Sequence, residues 1–211
     1  LGCLWSCQQD ETIEQTDGQT IKFTSVVIGD ETLSRASGST SIDVISMRTE
    51  LDDKFTVFDL KKDTRSWGEF SKKSEVFFYA HYPRLPESVA SNETRVLEGG
   101  TNDYLFGKAK AVAGQQQVCL QFKRVMAPLI VEVLDGDGRS YQGDIEVSAL
   151  IKNKGVQNLK DGSIVILDEK KYTAFNRFDN GVKQALNLLP QRIEKGTPFQ
   201  VRLSNGVTYT A

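Results

Sequence analysis

The chain has 211 residues and a net charge of −2, with 39% hydrophobic and 26% charged residues, which is an ordinary composition for one large or two small globular domains. A chain with this charge has no basic field to attract nucleic acid, so no nucleic-acid partner is predicted. After residue 7 no apolar stretch approaches the roughly 20 residues of a membrane helix, so any membrane contact is expected at the N-terminus.

The first eleven residues change abruptly from apolar to polar at Gln8. The tetrapeptide Leu4-Trp-Ser-Cys7 has the form of a bacterial lipobox, in which an apolar run and a small residue precede a cysteine. On this interpretation residues 1–6 remain from a signal peptide, and acyl chains on Cys7 hold the protein on a membrane. The alternative is a buried N-terminal strand with two incidental cysteines, Cys3 and Cys7.

Strands are predicted to begin after a polar, acidic stretch without periodicity at residues 8–19, which is interpreted as a flexible tether. From about residue 20 apolar residues alternate with polar ones in short runs, separated by Gly, Asp, Asn and Pro. This period of two indicates an all-β fold. In the first run Ile21, Phe23 and Val27 share one face of a strand.

The Gly- and Ser-rich loop after this strand contains Leu33-Ser-Arg-Ala36. Loop tips with small residues are favoured places for proteolytic cleavage, so Arg35 is a candidate site for an arginine-specific protease. The other interpretation is an ordinary surface arginine, and the sequence leaves both open.

Further strands are predicted through the middle of the chain. Residues 75–82 are dense in aromatic side chains, which fit a buried pleated surface, and Pro83 ends the run. Cys119 is predicted to be a small packed residue of a strand and to be unpaired, because Cys3 would leave with the signal peptide and Cys7 would be acylated. Residues 129–134 are nearly all apolar and predict a central strand covered on both faces.

Two later segments of the sequence are each compatible with two kinds of structure. Asp135-Gly-Asp-Gly138 is predicted to form a hairpin turn and not a calcium loop, because Arg139 occupies a ligand position of such a loop. In the second segment four apolar residues lie at helical spacing before a proline: Val182, Ala185, Leu186 and Leu189. This spacing favours a helix, whereas the rest of the chain has a β pattern, so the residues alone leave helix and strand equally open.

The sequence offers few groups for catalysis. His81 is the single histidine, and a lone histidine in an aromatic strand is interpreted as structural. No nucleophile elbow, zinc-binding helix or phosphate-binding glycine loop occurs. One histidine and one free cysteine are too few ligands for zinc. We therefore predict that the chain is not an enzyme and has no catalytic residue, no metal and no cofactor.

Short motifs along nearly the whole chain occur in an order that resembles the fimbrillin family of Bacteroidales. After the lipobox and its acidic continuation, these motifs are Ile21-Lys-Phe23, Ser34-Arg-Ala36, the aromatic run that ends at Tyr82-Pro83, Asp103-Tyr-Leu-Phe106, Val118-Cys-Leu-Gln-Phe122 and Leu188-Leu-Pro-Gln191. Arg124 departs from the family, which often has a histidine at that place.

The resemblance implies two transthyretin-like β-sandwich domains, at residues 20–147 and 148–211, of which the second is truncated. They follow the residual signal peptide at 1–6 and a lipid-anchored tether at 7–19. The resemblance also favours strand over helix for the segment that ends at Leu189. It implies export as a lipoprotein to the outer membrane and display on the cell surface, in a fimbria.

In polymerising members of the family a protease cuts after an arginine beyond the first strand, and a strand of another subunit fills the groove that is left. Carried over to this chain, Arg35 is the processing site, Cys7 the lipidation site, and Ile21, Phe23 and Val27 belong to the displaced strand. The predicted function is a structural or adhesive subunit that contacts other fimbrial subunits. The alternative is a non-polymerising surface lipoprotein that binds glycans or host proteins.

Overall fold

The computed structural model describes residues 18–27, 42–70, 73–87, 89–100, 102–130, 132–167, 170–178 and 185–210. The lipobox, Cys7 and Arg35 lie outside these residues. The described residues form β-strands and one short 3-10 helix, Trp67–Phe70, which confirms the predicted all-β class. In chain order the strands are β1 Thr20–Val27, β2 Val44–Thr49, β3 Thr56–Asp59, β4 Arg65–Ser66, β5 Glu75–Tyr82, β6 Thr94–Glu98, β7 Leu105–Val112, β8 Gln117–Arg124, β9 Ala127–Ile130, β10 Ile145–Lys152, β11 Lys154–Asn158, β12 Ile164–Ile166, β13 Lys170–Phe178, β14 Ala185–Leu188, β15 Phe199–Leu203 and β16 Thr208–Thr210.

The described strands form several sheets, as expected for a β-sandwich architecture. The largest has seven strands in the order β3-β2-β5-β7-β8-β1-β4. A four-stranded sheet has the order β13-β10-β15-β16, a three-stranded sheet the order β12-β11-β6, and a two-stranded sheet pairs β14 with β9. All of these pairs are antiparallel except β1 with β8, which run parallel.

The main core lies under the seven-stranded sheet and follows from the alternation of its strands. In β8 the apolar residues Val118, Leu120 and Phe122 are buried, and the residues between them point outward. Gly107 of β7 is required for this packing, because a Cβ atom there would lie 2.7 Å from the ring of Phe122. Burial of such apolar side chains provides the main stabilisation of the sheet.

Early and late parts of the chain share sheets. Strand β6 pairs with β11 over five residue pairs, from Thr94 with Asn158 to Glu98 with Lys154. Strand β10 spans the predicted boundary between residues 147 and 148. The division of the chain into two domains stays a prediction.

Two expectations about individual segments were wrong. Residues 129–134 do not form one covered central strand: β9 ends at Ile130 in a two-stranded sheet, and Leu134 is 53% exposed beside the turn that follows. Cys119 is a free, exposed residue of β8 and not a packed one. Its neighbours Val118 and Leu120 occupy the inner face, so the pleat directs the thiol outward.

Two other expectations are confirmed. Asp135 and Gly138 form a tight turn, in which the Gly138 amide donates to the Asp135 carbonyl over 3.0 Å and Gly138 has a φ of 78°. Leu134 and Ser140 form an antiparallel bridge on either side of it. The late segment is a strand over Ala185–Leu188, as the family resemblance favoured, whereas Val182 lies outside the described residues.

Candidate functional site

Strand β1 has one parallel and one antiparallel neighbour in the seven-stranded sheet. It runs parallel to β8, with residue pairs from Lys22 opposite Gln117 to Val27 opposite Phe122. On its other side it pairs with β4 only at Thr20 and Ile21. Within the described part of the sheet, therefore, β8 is the strand that pairs with β1 through main-chain hydrogen bonds beyond Ile21.

The inner face of β1 is part of the main core. Ile21 and Phe23 are buried, and Val27 is half-buried against the same cluster. The ring of Phe23 makes edge-to-face contacts with Phe58 and Phe78, at centroid distances of 5.3 and 4.9 Å. Burial of an Ile or Phe side chain is worth about 1.5–3 kcal/mol, so these two residues contribute substantially to holding β1 in the sheet. The structure thus places the three residues predicted for the displaced strand together.

The 3-10 helix covers the end of β1. The Trp67 amide donates to the Gln19 carbonyl over 2.9 Å, and the Trp67 indole N–H donates to the Gln115 carbonyl over 2.9 Å. Trp67 and Phe70 are buried in the cluster that contains Ile21 and Phe23. If β1 were absent, an apolar groove would remain, bounded by the edge of β8 on one side and by this helix at one end.

A buried polar junction lies on the opposite face of the same sheet. His81 of β5 is 0% exposed, and its Nε2 lies 2.8 Å from the Leu159 carbonyl oxygen. The pKa of His81 is lowered to about 4, chiefly by burial and to a smaller extent by the positive charges of Arg95 and Arg48, while the hydrogen bond with Leu159 acts in the raising direction. The histidine is therefore neutral and packed, which agrees with its structural interpretation.

Arg95 of β6 is the second polar group of this junction. Its guanidinium donates to the Gln157 side-chain oxygen over 2.6 Å and to the Pro83 carbonyl over 3.3 Å, and it lies 4.5 Å from the centre of the Tyr104 ring. Burial lowers the pKa of Arg95 to about 10. These contacts join β6 and β11 to the end of β5. Sequence reasoning missed them, because Arg95 and Gln157 are brought together only by the pairing of β6 with the distant strand β11.

A second feature that sequence reasoning missed is an open groove of about 650 Å³ on the outer face of β5, β7 and β8. We call it the lysine groove, and define it by Phe77, Phe106, Lys108, Lys110, Gln121 and Lys123; the exposed thiol of Cys119 also lines it. Alternation in β7 and β8 was the available signal, because the outward positions of these strands include Phe106, Lys108 and Lys110 in β7 and Gln121 and Lys123 in β8.

Metal centres and membrane-spanning helices are not found in the described ranges. These residues contain no group of three or more His, Cys, Asp or Glu side chains placed to hold a metal ion. No helix among them has the length and apolar character needed to cross a membrane. The predicted processing and lipidation residues, Arg35 and Cys7, stay predictions, because both lie outside the described ranges.

Known proteins resemble the chain in sequence and in fold. The fimbrillin-like family matches residues 63–211. A candidate cell adhesion protein of Bacteroides thetaiotaomicron is 32% identical, with a TM-score of 0.69 over 90% of this chain and 84% of that protein. No curated protein matches the chain.

Two further candidate cell adhesion proteins share the fold at low identity. One, from Bacteroides uniformis, is 15% identical with a TM-score of 0.61, over 80% of this chain and 77% of that one. The other, from Bacteroides ovatus, is 16% identical with a TM-score of 0.60, over 91% and 85%. Because the family matches more than half of the sequence and a structure of 32% identity matches most of it, the chain belongs to the fimbrillin-like family, a group of fimbrial-type surface proteins.

Proposed function

We propose that this protein is a structural or adhesive subunit of a bacterial surface fimbria, exported as a lipoprotein and assembled with other subunits by protease-triggered strand exchange. Membership of the fimbrillin-like family supports a structural role and not an enzymatic one. The observation that carries the assembly step is the position of β1, whose buried residues Ile21 and Phe23 fill a groove in the main core.

The physical basis of this assembly is strand addition. Cleavage at Arg35 would separate β1 from the rest of the chain, and its departure would expose the main-chain groups of β8 together with apolar side chains that include Phe58 and Phe78. An open sheet edge beside an apolar groove is a strong site for an extended segment of another subunit. The lipid anchor on Cys7 would leave with the released strand.

The test is treatment of the purified full chain with an arginine-specific protease, followed by electrophoresis for oligomer ladders. Wild type and an Arg192→Ala control, which removes an exposed arginine elsewhere, are expected to be cut after Arg35 and to polymerise. Arg35→Ala is expected to stay monomeric. Polymerisation of Arg35→Ala at the wild-type rate would refute the strand-release step.

The export proposal is tested separately. Cells that express the full-length precursor are labelled with a radioactive fatty acid, and the protein is recovered from the outer-membrane fraction. Cys7→Ser is expected to lose the label and the membrane association, whereas Cys3→Ser is expected to keep both. An unchanged label in Cys7→Ser would refute lipidation at that residue.

A second candidate function is a non-polymerising surface lipoprotein that binds glycans or host proteins. The lysine groove favours it, because an exposed site with aromatic and cationic side chains is suited to ligand binding. Protease-treated protein that remains monomeric but binds a ligand would favour this function over the first.

A further inference from the structure

We propose that the lysine groove is a binding site for an acidic glycan, that is, a saccharide that carries carboxylate or sulfate groups. The proposal rests on the adhesive part of the function proposed above and gives it a ligand class. The groove provides positive charge, aromatic surface and side-chain amides on one open face of the seven-stranded sheet.

The charge of the groove is opposite to that of the whole chain. The chain has a net charge of −2, yet the described residues that line the groove include Lys108, Lys110 and Lys123 and no Asp or Glu. Of these lysines only Lys110 forms an ion pair with a described carboxylate, that of Glu75. The ammonium groups of Lys108 and Lys123 are therefore available for an anionic ligand, because no described carboxylate neutralises them.

The position of Lys108 is set by aromatic rings. Its Nζ atom lies 5.1 Å from the centre of the Phe77 ring and 5.5 Å from that of Tyr79, within the range of cation–π attraction. The Tyr79 ring stacks in turn on Phe106 at 6.5 Å. An ammonium that is held in one place loses less conformational entropy when it binds an anion than a freely rotating lysine would.

The place of the groove in the sheet favours a saccharide over a peptide. Strand β5 is paired with β2 on one side and with β7 on the other, and β7 and β8 pair with each other from Leu105 with Arg124 to Lys108 with Gln121. The main-chain groups of these paired segments are already used, so an acidic peptide cannot add to them as an extra strand, which is the usual way in which a sheet binds an extended peptide. Recognition along these segments must come from side chains.

The side chains of the groove match the parts of an acidic sugar. The lysines would bind its carboxylate or sulfate, the Gln121 amide offers a donor and an acceptor for hydroxyl groups, and the rings of Phe77 and Phe106 offer apolar surface for its C–H faces. A volume of about 650 Å³ lies within the usual range for ligand sites.

The experiment measures binding of the full chain to four polymers: polygalacturonate for carboxylate, chondroitin sulfate for sulfate, neutral dextran and poly-glutamate. Cys3→Ser and Cys7→Ser substitutions leave Cys119 as the single thiol. We expect one or both acidic polysaccharides to bind, and to slow the labelling of Cys119 by a maleimide. Dextran and poly-glutamate are expected to bind at least about tenfold more weakly.

Variants then locate the site. Lys108→Gln with Lys123→Gln is expected to weaken polysaccharide binding by about tenfold, since two charge-assisted contacts are lost. The matched control is Lys154→Gln with Lys195→Gln, which removes two exposed lysines outside the groove and is expected to leave binding unchanged. All four lysines are exposed, so these variants should fold, and Gln121→Leu provides a second groove variant.

Three results would overturn the proposal. The first is that neither acidic polysaccharide binds. The second is that the groove variants and the control variant lose binding equally. The third is that poly-glutamate binds as tightly as the polysaccharides, which would show recognition of charge alone. None of them bears on strand exchange, because binding is measured on uncleaved protein. Conversely, polymerisation of Arg35→Ala would refute strand release and leave the groove proposal intact.

Discussion

The Nε2 atom of His81 lies 2.8 Å from the carbonyl oxygen of Leu159, which joins β5 to the turn that follows β11. The Nδ1 atom is buried and has no hydrogen-bond partner in the described residues. The ring is therefore neutral, with its proton on Nε2, where it donates to the carbonyl. Phe55 and Phe106 pack against it at centroid distances of 5.0 and 5.1 Å.

This arrangement predicts a loss of stability in mild acid. The pKa of His81 is lowered to about 4 in the fold, whereas the unfolded value is 6.5, so between these pH values the unfolded state binds more protons. The free energy of unfolding should therefore fall by about 3 kcal/mol as pH drops from 6.5 to 4. Urea unfolding of wild type and His81→Gln over this range measures the difference, because glutamine keeps a donor but does not titrate.

Equal pH slopes in wild type and His81→Gln would contradict this assignment. Above pH 6.5 the contribution of His81 is fully present, so the two proteins should differ there by a constant amount.

The contact between Arg95 and Gln157 predicts non-additive stability changes. Arg95→Met should cost about 2–3 kcal/mol, because the buried Gln157 oxygen then loses its donor. The double variant with Gln157→Leu removes both polar groups and should recover at least about 1 kcal/mol of that loss. Chemical denaturation of the two single variants and the double variant completes the cycle, and strictly additive changes would argue against the coupling.

Close packing at Gly107 predicts that a single methyl group is destabilising. Gly107→Ala brings a Cβ atom to 2.7 Å from the Phe122 ring and should cost about 1–3 kcal/mol. Gly136→Ala is the control, since no atom lies within 4 Å of a Cβ atom there. Thermal unfolding should show a lower Tm for the first variant alone. Addition of Phe122→Leu to Gly107→Ala should restore part of the loss; no restoration would point to a cause other than this collision.

Because β1 has one buried and one exposed face, substitutions at adjacent residues should change the free energy of unfolding by very different amounts. Phe23→Ala removes the edge contacts with Phe58 and Phe78 and should destabilise the protein by about 3–5 kcal/mol. Thr24→Ala, on the exposed face, should change the free energy of unfolding by less than about 0.5 kcal/mol. Equal effects at both positions, measured by urea unfolding, would contradict the burial of Phe23.

Alternation in the sequence predicted much of the fold because a strand with one buried face needs an apolar residue at every second position. This holds for β8, where Val118, Leu120 and Phe122 face the core. The same parity places Cys119 outside, and the prediction that it packs inside failed because it relied on residue type and not on position. The prediction of a central strand at residues 129–134 was wrong because a run of consecutive apolar residues does not show which positions face the core.

The candidate site was less predictable, because it depends on pairings between distant strands. Ile21 and Phe23 share a face by their spacing alone, but the parallel pairing of β1 with β8 has no local signal. Similarly, Lys108 meets Phe77 only through the register of β7 against β5, and Arg95 meets Gln157 only through that of β6 against β11.

Because β6 pairs with a strand much later in the chain, β6 is synthesised before the partner that completes its sheet. A ribosome releases Thr94 well before Asn158, so β6 must wait for its partner while the strands around it are already available. An unpaired strand is a template for association with other chains. A chain halted during synthesis or translocation between residues 98 and 154 would present β6 in that unpaired state, and this interval is where a chaperone that holds the chain extended would prevent aggregation.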